Sequence, residues 1–314
     1  MGLLQEKFSK YRVPQEYMAM GVYPYFREID SAQDTEVMMD GKKVLMFGSN
    51  SYMGLTYEPR IVEAAIKATK KYGTGCAGSR FLNGTLDLHI QLENRLAEFV
   101  GKEEAIVYST GFQVNLGVVS CLTGREDYIL WDELDHASII EGHRLSFSTK
   151  LKYKHNDMES LEKQLQKCAP DKVKLIVTDG VFSMDGNVAP MDKICDLAEK
   201  YDALVMVDES HSAGVVGPTG HGVAEQYGVY DRIDIFTGTL GKAFGGAMGG
   251  FTTGRKEIID MLRQRSRPYL FSNSVAPAIV GASIEMFKML KESNALHDKL
   301  MENVTYFRDN MLAA

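Results

Sequence analysis

The chain has 314 residues, 45% apolar and 25% charged, enough to bury a large core as one big α/β domain with a smaller appendage. A net charge of −7, from 42 acids and 35 bases with no long basic block, argues against nucleic acid as a partner but allows a local basic pocket. Cys76, Cys121, Cys168 and Cys195 lie far apart without a CxxC pair, and neither a signal-peptide core nor a bilayer-length apolar run is present, so the expectation is a cytoplasmic globule in a reducing compartment, without structural metal, disulfide framework or transmembrane segment.

In chain order, residues 1–45 read as an N-terminal arm carrying scattered aromatics (Tyr11, Tyr17, Tyr23, Tyr25, Phe26). Asp40-Gly41 between two apolar patches predicts a hairpin over 37–44. Leu88, Leu92, Leu96 and Phe99 fall at helical spacing and predict an amphipathic helix over 86–100, stopped by Gly101. Short apolar runs then predict strands at 105–108, 175–178, 204–207 and 233–236, with helices at 159–167 and 191–201 among the intervening segments. Continuous apolar strands separated by helices indicate a parallel sheet covered on both faces, which binds ligands beyond the carboxyl ends of its strands. Asp179, Asp208 and Thr237 each follow directly on a predicted strand and should converge on one crevice. Residues 256–314 read as mostly helical, broken at Arg267-Pro268. The domain division is an arm (1–45), a large α/β domain (46–280) and the start of a small C-terminal domain (281–314).

Within this frame, Thr237-Gly238-Thr239-Leu240-Gly241-Lys242 puts a lysine on a glycine-loosened turn, 34 positions after the apolar run ending Val207-Asp208-Glu209-Ser210-His211. A strand-ending Asp followed by such a lysine suits a pyridoxal 5′-phosphate (PLP) site: the carboxylate keeps the pyridine nitrogen charged and the amine forms the Schiff base. Lysines are most often solvated, but Gly241, Gly245 and Gly246 have no use on a solvated helix face. For Asp208 alone, a plain strand-end cap is an equal reading. His136 could stack on the ring, although a lone histidine is more often structural, and His211 could reach the ring's phenolic oxygen. Ser109-Thr110-Gly111-Phe112 after a strand and opening a helix is anion-binding geometry, completed by Thr239 and a hydroxyl around Ser272.

Four segments, Thr178–Gly186, Val207–His211, Gly238–Lys242 and Arg267–Ser274, resemble the α-oxoamine synthases, PLP-dependent enzymes of fold type I that condense an amino acid with an acyl-CoA. The resemblance runs from about residue 40 to the end. It implies an aspartate aminotransferase-like fold, with a mostly parallel sheet covered by helices, an N-terminal arm and an incomplete small C-terminal domain, and a homodimer with shared active sites. By this resemblance Lys242 is the Schiff-base lysine and proton acceptor, Asp208 the pyridinium partner and His136 the stacking histidine. His211 and Ser183 flank the ring, Gly111, Phe112 and Thr239 hold the phosphate, Ser272 reaches the neighbouring subunit's phosphate, and Asn50 lies near the substrate carboxylate.

Gly78–Thr85 and Ser109–Asn115 resemble the serine palmitoyltransferase branch, whereas the chain from about 178 onward resembles the glycine C-acetyltransferases. The expected substrates are L-serine with a long-chain acyl-CoA, glycine with acetyl-CoA being the alternative. An aminotransferase and a non-catalytic partner subunit of the same fold are further readings; a dinucleotide-binding protein is disfavoured because no GxGxxG follows the first strand. The family's small C-terminal domain continues past the point where this sequence stops. A helix there with an exposed apolar face is therefore expected, without the arginine that the family directs at the substrate carboxylate.

Overall fold

The computed structural model describes residues 2–314, which form two compact units meeting at Gly48 and Ser49. The first contains helices α1 (Leu3–Ser9) and α2 (Val13–Ala19) and an antiparallel hairpin of β1 (Glu36–Met39) and β2 (Lys42–Leu45). Asp40 (φ 53°) and Gly41 (φ 69°) both occupy the left-handed region. That is the geometry a two-residue turn needs to match the twist of its strands, which explains why Asp-Gly announced the hairpin.

In the second unit the elements run α3 (Pro59–Tyr72), α4 (Asp87–Val100), β3 (Glu104–Tyr108), α5 (Gly111–Leu122), β4 (Tyr128–Asp132), α6 (Ala137–Leu145), β5 (Thr149–Tyr153) and α7 (Met158–Leu165). They continue as β6 (Lys174–Asp179), α8 (Met191–Tyr201), β7 (Leu204–Asp208), α9 (Val223–Tyr227), β8 (Ile235–Thr239), β9 (Gly250–Gly254), α10 (Lys256–Arg265), α11 (Arg267–Leu270), α12 (Pro277–Glu292) and α13 (Ala295–Ala313). The seven-stranded sheet has the order β3-β9-β8-β7-β6-β4-β5. Only β9 runs against the rest, antiparallel to both β3 and β8.

Strand alternation divides the core between the two faces. Ile106, Ile129, Leu175, Val177, Met206 and Ile235 pack with Val114, Val118, Ile139, Ile259 and Leu262, from α5, α6 and α10. Val107, Leu130, Ile176, Val205, Val207 and Phe236 pack with Leu92, Leu96, Leu161, Ile194 and Met286, from α4, α7, α8 and α12. Both faces are thus dry, which is why β6 and β7 read as unbroken apolar runs.

The architecture is the doubly covered α/β fold expected, with differences in detail. The strand expected at 233–236 begins at Ile235 and runs to Thr239. Residues 233 and 234 are used otherwise: the Ile233 carbonyl accepts from Lys102 Nζ at 2.9 Å, and Asp234 Oδ2 accepts from Val205 N–H. Thr237 is therefore a buried mid-strand residue rather than one that follows a strand. Three strands were not anticipated. β9 is four-fifths glycine and threonine, and the edge strand β5 carries two lysines, as edges exposed to pairing often do. β4 is an apolar run set between the long connections. The 280/281 boundary falls inside α12, whose Val280, Met286 and Phe287 are buried in the large core.

Candidate active site

Lys242 lies three residues beyond the end of β8. A Cβ at Gly241 would meet the Ala247 carbonyl at 2.8 Å, and Gly245 (φ 98°) and Gly246 (φ 70°) are left-handed, so the turn returning to β9 needs these glycines. The half-buried Lys242 Nζ stands 2.7 Å from His211 Nε2. His211 Nδ1 is 2.8 Å from the Tyr52 hydroxyl, which donates to Asn50 Oδ1 at 3.2 Å. One assignment satisfies the chain: the Lys242 ammonium donates to Nε2, and Nδ1–H donates to the tyrosine oxygen. Burial lowers the Lys242 pKa against the opposing pull of Asp208 and Asp179. Burial and then the Lys242 charge push His211 down to about 4, so it is neutral at physiological pH.

Asp208 closes β7 and is 4% exposed. Its Oδ2 accepts from Asn115 Nδ2 at 2.6 Å and its Oδ1 from Ser210 N–H at 2.9 Å. His136 caps the N-terminus of α6, Nδ1 accepting from Ser138 N–H at 3.2 Å and lying 2.7 Å from Ser138 Oγ. Its ring keeps an exposed side, but desolvation of the inner edge lowers its pKa.

At α5, Thr110 is the N-cap, its hydroxyl accepting from Gln113 N–H. This leaves the N–H groups of Gly111 and Phe112 at the free start of a 12-residue helix. A Cβ at Gly111 would meet Thr239 Cβ at 2.9 Å, so helix start and strand end approach as closely as glycine allows. The Thr239 hydroxyl accepts from Gly241 N–H and donates to the Gly249 carbonyl. Ser272 Oγ is 3.3 Å from Ser109 Oγ and 3.4 Å from Gln113 Nε2, at the same helix start of the same chain. Lysine, buried carboxylate, flat histidine and helix start thus surround one place at the carboxyl ends of β3, β4, β7 and β8. These groups fit PLP: a cradle for its phosphate, an acceptor for its nitrogen and an amine for its aldehyde.

Two candidates stand apart from this network. Ser183 sits on an exposed turn held by the Phe182–Asn187 backbone bond, with no hydrogen bond to His211 or Lys242 among the described residues. Asn50 is exposed and reaches the cluster only through Tyr52. Sequence reasoning missed Tyr52, Asn115 and Ser138, whose roles arise from contacts across 159, 93 and 23 positions. It also missed a carboxylate cluster behind His136. Asp179 Oδ2 accepts from His136 N–H at 2.7 Å, while Asp135 accepts from the N–H groups of Asp179 and Asp132. Burial first, and neighbouring carboxylates second, raise Asp135 and Asp179 well above the usual carboxylate range. Two cavities, of about 490 and 640 Å³, lie elsewhere; Lys242, Asp208, His136 and His211 line neither.

A model of the aminotransferase class I and II family matches residues 42–314. The chain belongs to that family. Within this family it is an α-oxoamine synthase, a PLP-dependent enzyme with the fold-type I architecture. It is 56% identical over 306 residues to a serine palmitoyltransferase of Bacteroides thetaiotaomicron, covering 98% of this chain and 77% of the relative. It is 50% identical over 299 residues to the 2-amino-3-ketobutyrate coenzyme A ligase of Escherichia coli K12, covering 94% and 75%. Among solved structures, a serine palmitoyltransferase variant from S. paucimobilis with a bound PLP–myriocin aldimine superposes with a TM-score of 0.88 at 34% identity, over 92% of this chain and 73% of that one.

Proposed function

We propose that this α-oxoamine synthase condenses L-serine with a long-chain acyl-CoA, with Lys242, Asp208 and His136 as its catalytic residues. The observation carrying the site is the convergence of a desolvated lysine, hydrogen-bonded to His211 at 2.7 Å, with the buried Asp208 and the open start of α5. Lys242 would hold the aldehyde of PLP and take a proton from the substrate's Cα, and burial, which lowers its pKa, eases loss of the proton its ammonium carries beside His211. Bound PLP supplies the electron sink for the resulting carbanion. Asp208 would keep the pyridine nitrogen charged, while His136 would lie over the ring. His211, held neutral, would donate Nε2–H to the ring's phenolic oxygen once Lys242 is engaged, the Tyr52 hydroxyl then turning from Asn50 to donate to Nδ1. The Gly111 and Phe112 N–H groups would take the phosphate, with Thr239 joining if its hydroxyl turns from the Gly249 carbonyl.

Serine is preferred because the similarity to the serine palmitoyltransferase, 56% over 98% of the chain, exceeds that to the ligase. Glycine with acetyl-CoA is the second reading, favoured by the 50% identity to the ligase. Ser183, on an exposed turn, would flank the ring, and Asn50 would lie near the substrate carboxylate. Ser272 would reach the phosphate of the neighbouring subunit across the interface of a homodimer. The test is release of free CoA thiol from palmitoyl-CoA or acetyl-CoA, each with L-serine or glycine. Release with serine and palmitoyl-CoA supports the preferred reading; release only with glycine and acetyl-CoA replaces it by the second. No release with any pair from a PLP-loaded protein contradicts both.

A further inference from the structure

Asn115 lies one helical turn into α5, 1% exposed, directly behind the open helix start. Its side chain uses both donors and accepts once. One N–H goes to Asp208 Oδ2 at 2.6 Å and the other to Ser138 Oγ at 2.8 Å, while Oδ1 accepts from the Thr237 hydroxyl at 3.0 Å. The amide orientation is fixed by its neighbours, because reversing it would point the oxygen at a carboxylate that can only accept. Ser138 Oγ accepts from Asn115, and because Ser138 N–H is directed at His136 Nδ1, the hydroxyl proton also goes to that nitrogen, 2.7 Å away. With Ser138 N–H also directed at Nδ1, the proton of a neutral His136 is left on Nε2. A single direction of donation therefore runs from Thr237 through Asn115 and Ser138 to His136, with a branch to Asp208.

This contact depends on close packing of α5 against α6. A Cβ at Gly142 would stand 2.7 Å from the Asn115 carbonyl, so glycine there lets Ser138 come within reach. Asp208, Ser138 and Thr237 are all at most 4% exposed, so water cannot replace the amide without a rearrangement. A buried asparagine that merely satisfied its own polar atoms could bond any backbone group. Here it joins the carboxylate and the histidine to which the PLP reading gives separate tasks.

We propose that Asn115 is a positioning residue that orients the Asp208 carboxylate and selects the Nε2–H tautomer of His136. The Asp208 half rests on the PLP reading of the site, whereas the tautomer half can be read without cofactor. In ¹⁵N-histidine-labelled protein lacking cofactor, wild-type His136 is expected as the Nε2–H tautomer. In Asn115→Asp, nearly equal in shape, the Ser138 hydroxyl is expected to turn toward the new carboxylate and accept from Nδ1–H, shifting His136 toward the other tautomer. PLP affinity, read by fluorescence titration, should fall about tenfold in Asn115→Ala, the factor associated with losing one charge-assisted hydrogen bond. Should Asn115→Ala not fold, Asn115→Asp carries the affinity measurement with the same expected direction. An unchanged tautomer in folded Asn115→Asp overturns the histidine half. Wild-type PLP affinity in the folded variants overturns the Asp208 half. Wild-type protein that binds no PLP overturns the reading of the site instead, and the cofactor-free tautomer measurement still decides the histidine half.

Discussion

At the scale of residues, two histidines contribute to the acid sensitivity expected of this protein. His211 and His143 are each pushed down to about 4, in both cases by burial first and then by a neighbouring lysine. His143 packs its ring on Trp131 at 4.6 Å, and neither of its nitrogens finds a partner among the described residues. Both groups stay neutral in the folded chain, whereas in the unfolded chain they titrate near 6.5. At these two groups the unfolded state therefore binds protons first, and the stability they contribute is lost as pH falls from about 6.5 toward about 4, with no further loss from them below. His143→Phe, which retains the aromatic contact, should flatten part of that decline. Urea melts at pH 7.5 and 5 would show it; an equal decline in wild type and variant would contradict the assignment. Lys242 and Asp208 were legible in the sequence because a glycine-rich turn and a strand end are local features. Asn115, Ser138 and Tyr52 were not, because nothing within a few residues of them says what they touch.

At the scale of elements, glycine positions and one buried ion pair hold the site's walls. Gly142→Ala would push a methyl into the Asn115 carbonyl and Val119, at 2.7 and 3.2 Å. Overpacking of this kind costs about 1–3 kcal/mol. The loss should appear in urea melts, and wild-type stability would show that the α5–α6 contact has slack. The second device is Arg80, 7% exposed, which makes a bidentate pair with Glu93 at 2.7 and 3.1 Å and lies over the Tyr269 ring. Glu93 Oε1 also accepts from Val107 N–H, so the pair ties the segment before α4 to the sheet and to α11. That segment in turn meets the Ser272 region, where Ser274 N–H donates to the Gly78 carbonyl. Removing one partner of a buried pair typically costs about 3–5 kcal/mol, so Arg80→Ala should lower the urea midpoint strongly, and Arg80→Lys should recover little because it lacks the planar fork. A small effect of Arg80→Ala would mean that the segment is held by other contacts. The predicted helices at 86–100 and 191–201 were found nearly to the residue, since amphipathic spacing is a strong signal. Strand β9 was hidden because glycine and threonine carry no apolar periodicity, and its pairing with β3 and β8 is set by residues some 150 and 15 positions away.

At the scale of the whole molecule, six strands in one sense bring their carboxyl ends to one rim, where four loops deliver the lysine, the carboxylate, the histidine and the helix start. The fold was legible from the alternation of apolar strands and helices, which admits few topologies once right-handed crossovers are required. The resemblance implied a sheet only mostly parallel, but that β9 is the strand that reverses was not legible. No helix among the described residues is long and apolar enough to cross a membrane. In α13, Val304, Tyr306, Phe307, Met311 and Leu312 are exposed, an apolar face expected from the sequence.

The central claim is that Lys242 holds PLP and that the bound cofactor accepts serine. The most direct measurement is the visible absorbance of PLP-loaded protein, for the wild type and Lys242→Ala, during titration with L-serine and then with glycine. A lysine-linked band present only in the wild type, and perturbed at lower concentration by serine than by glycine, is the predicted result. A band that survives in Lys242→Ala, or that neither amino acid changes, would contradict the account.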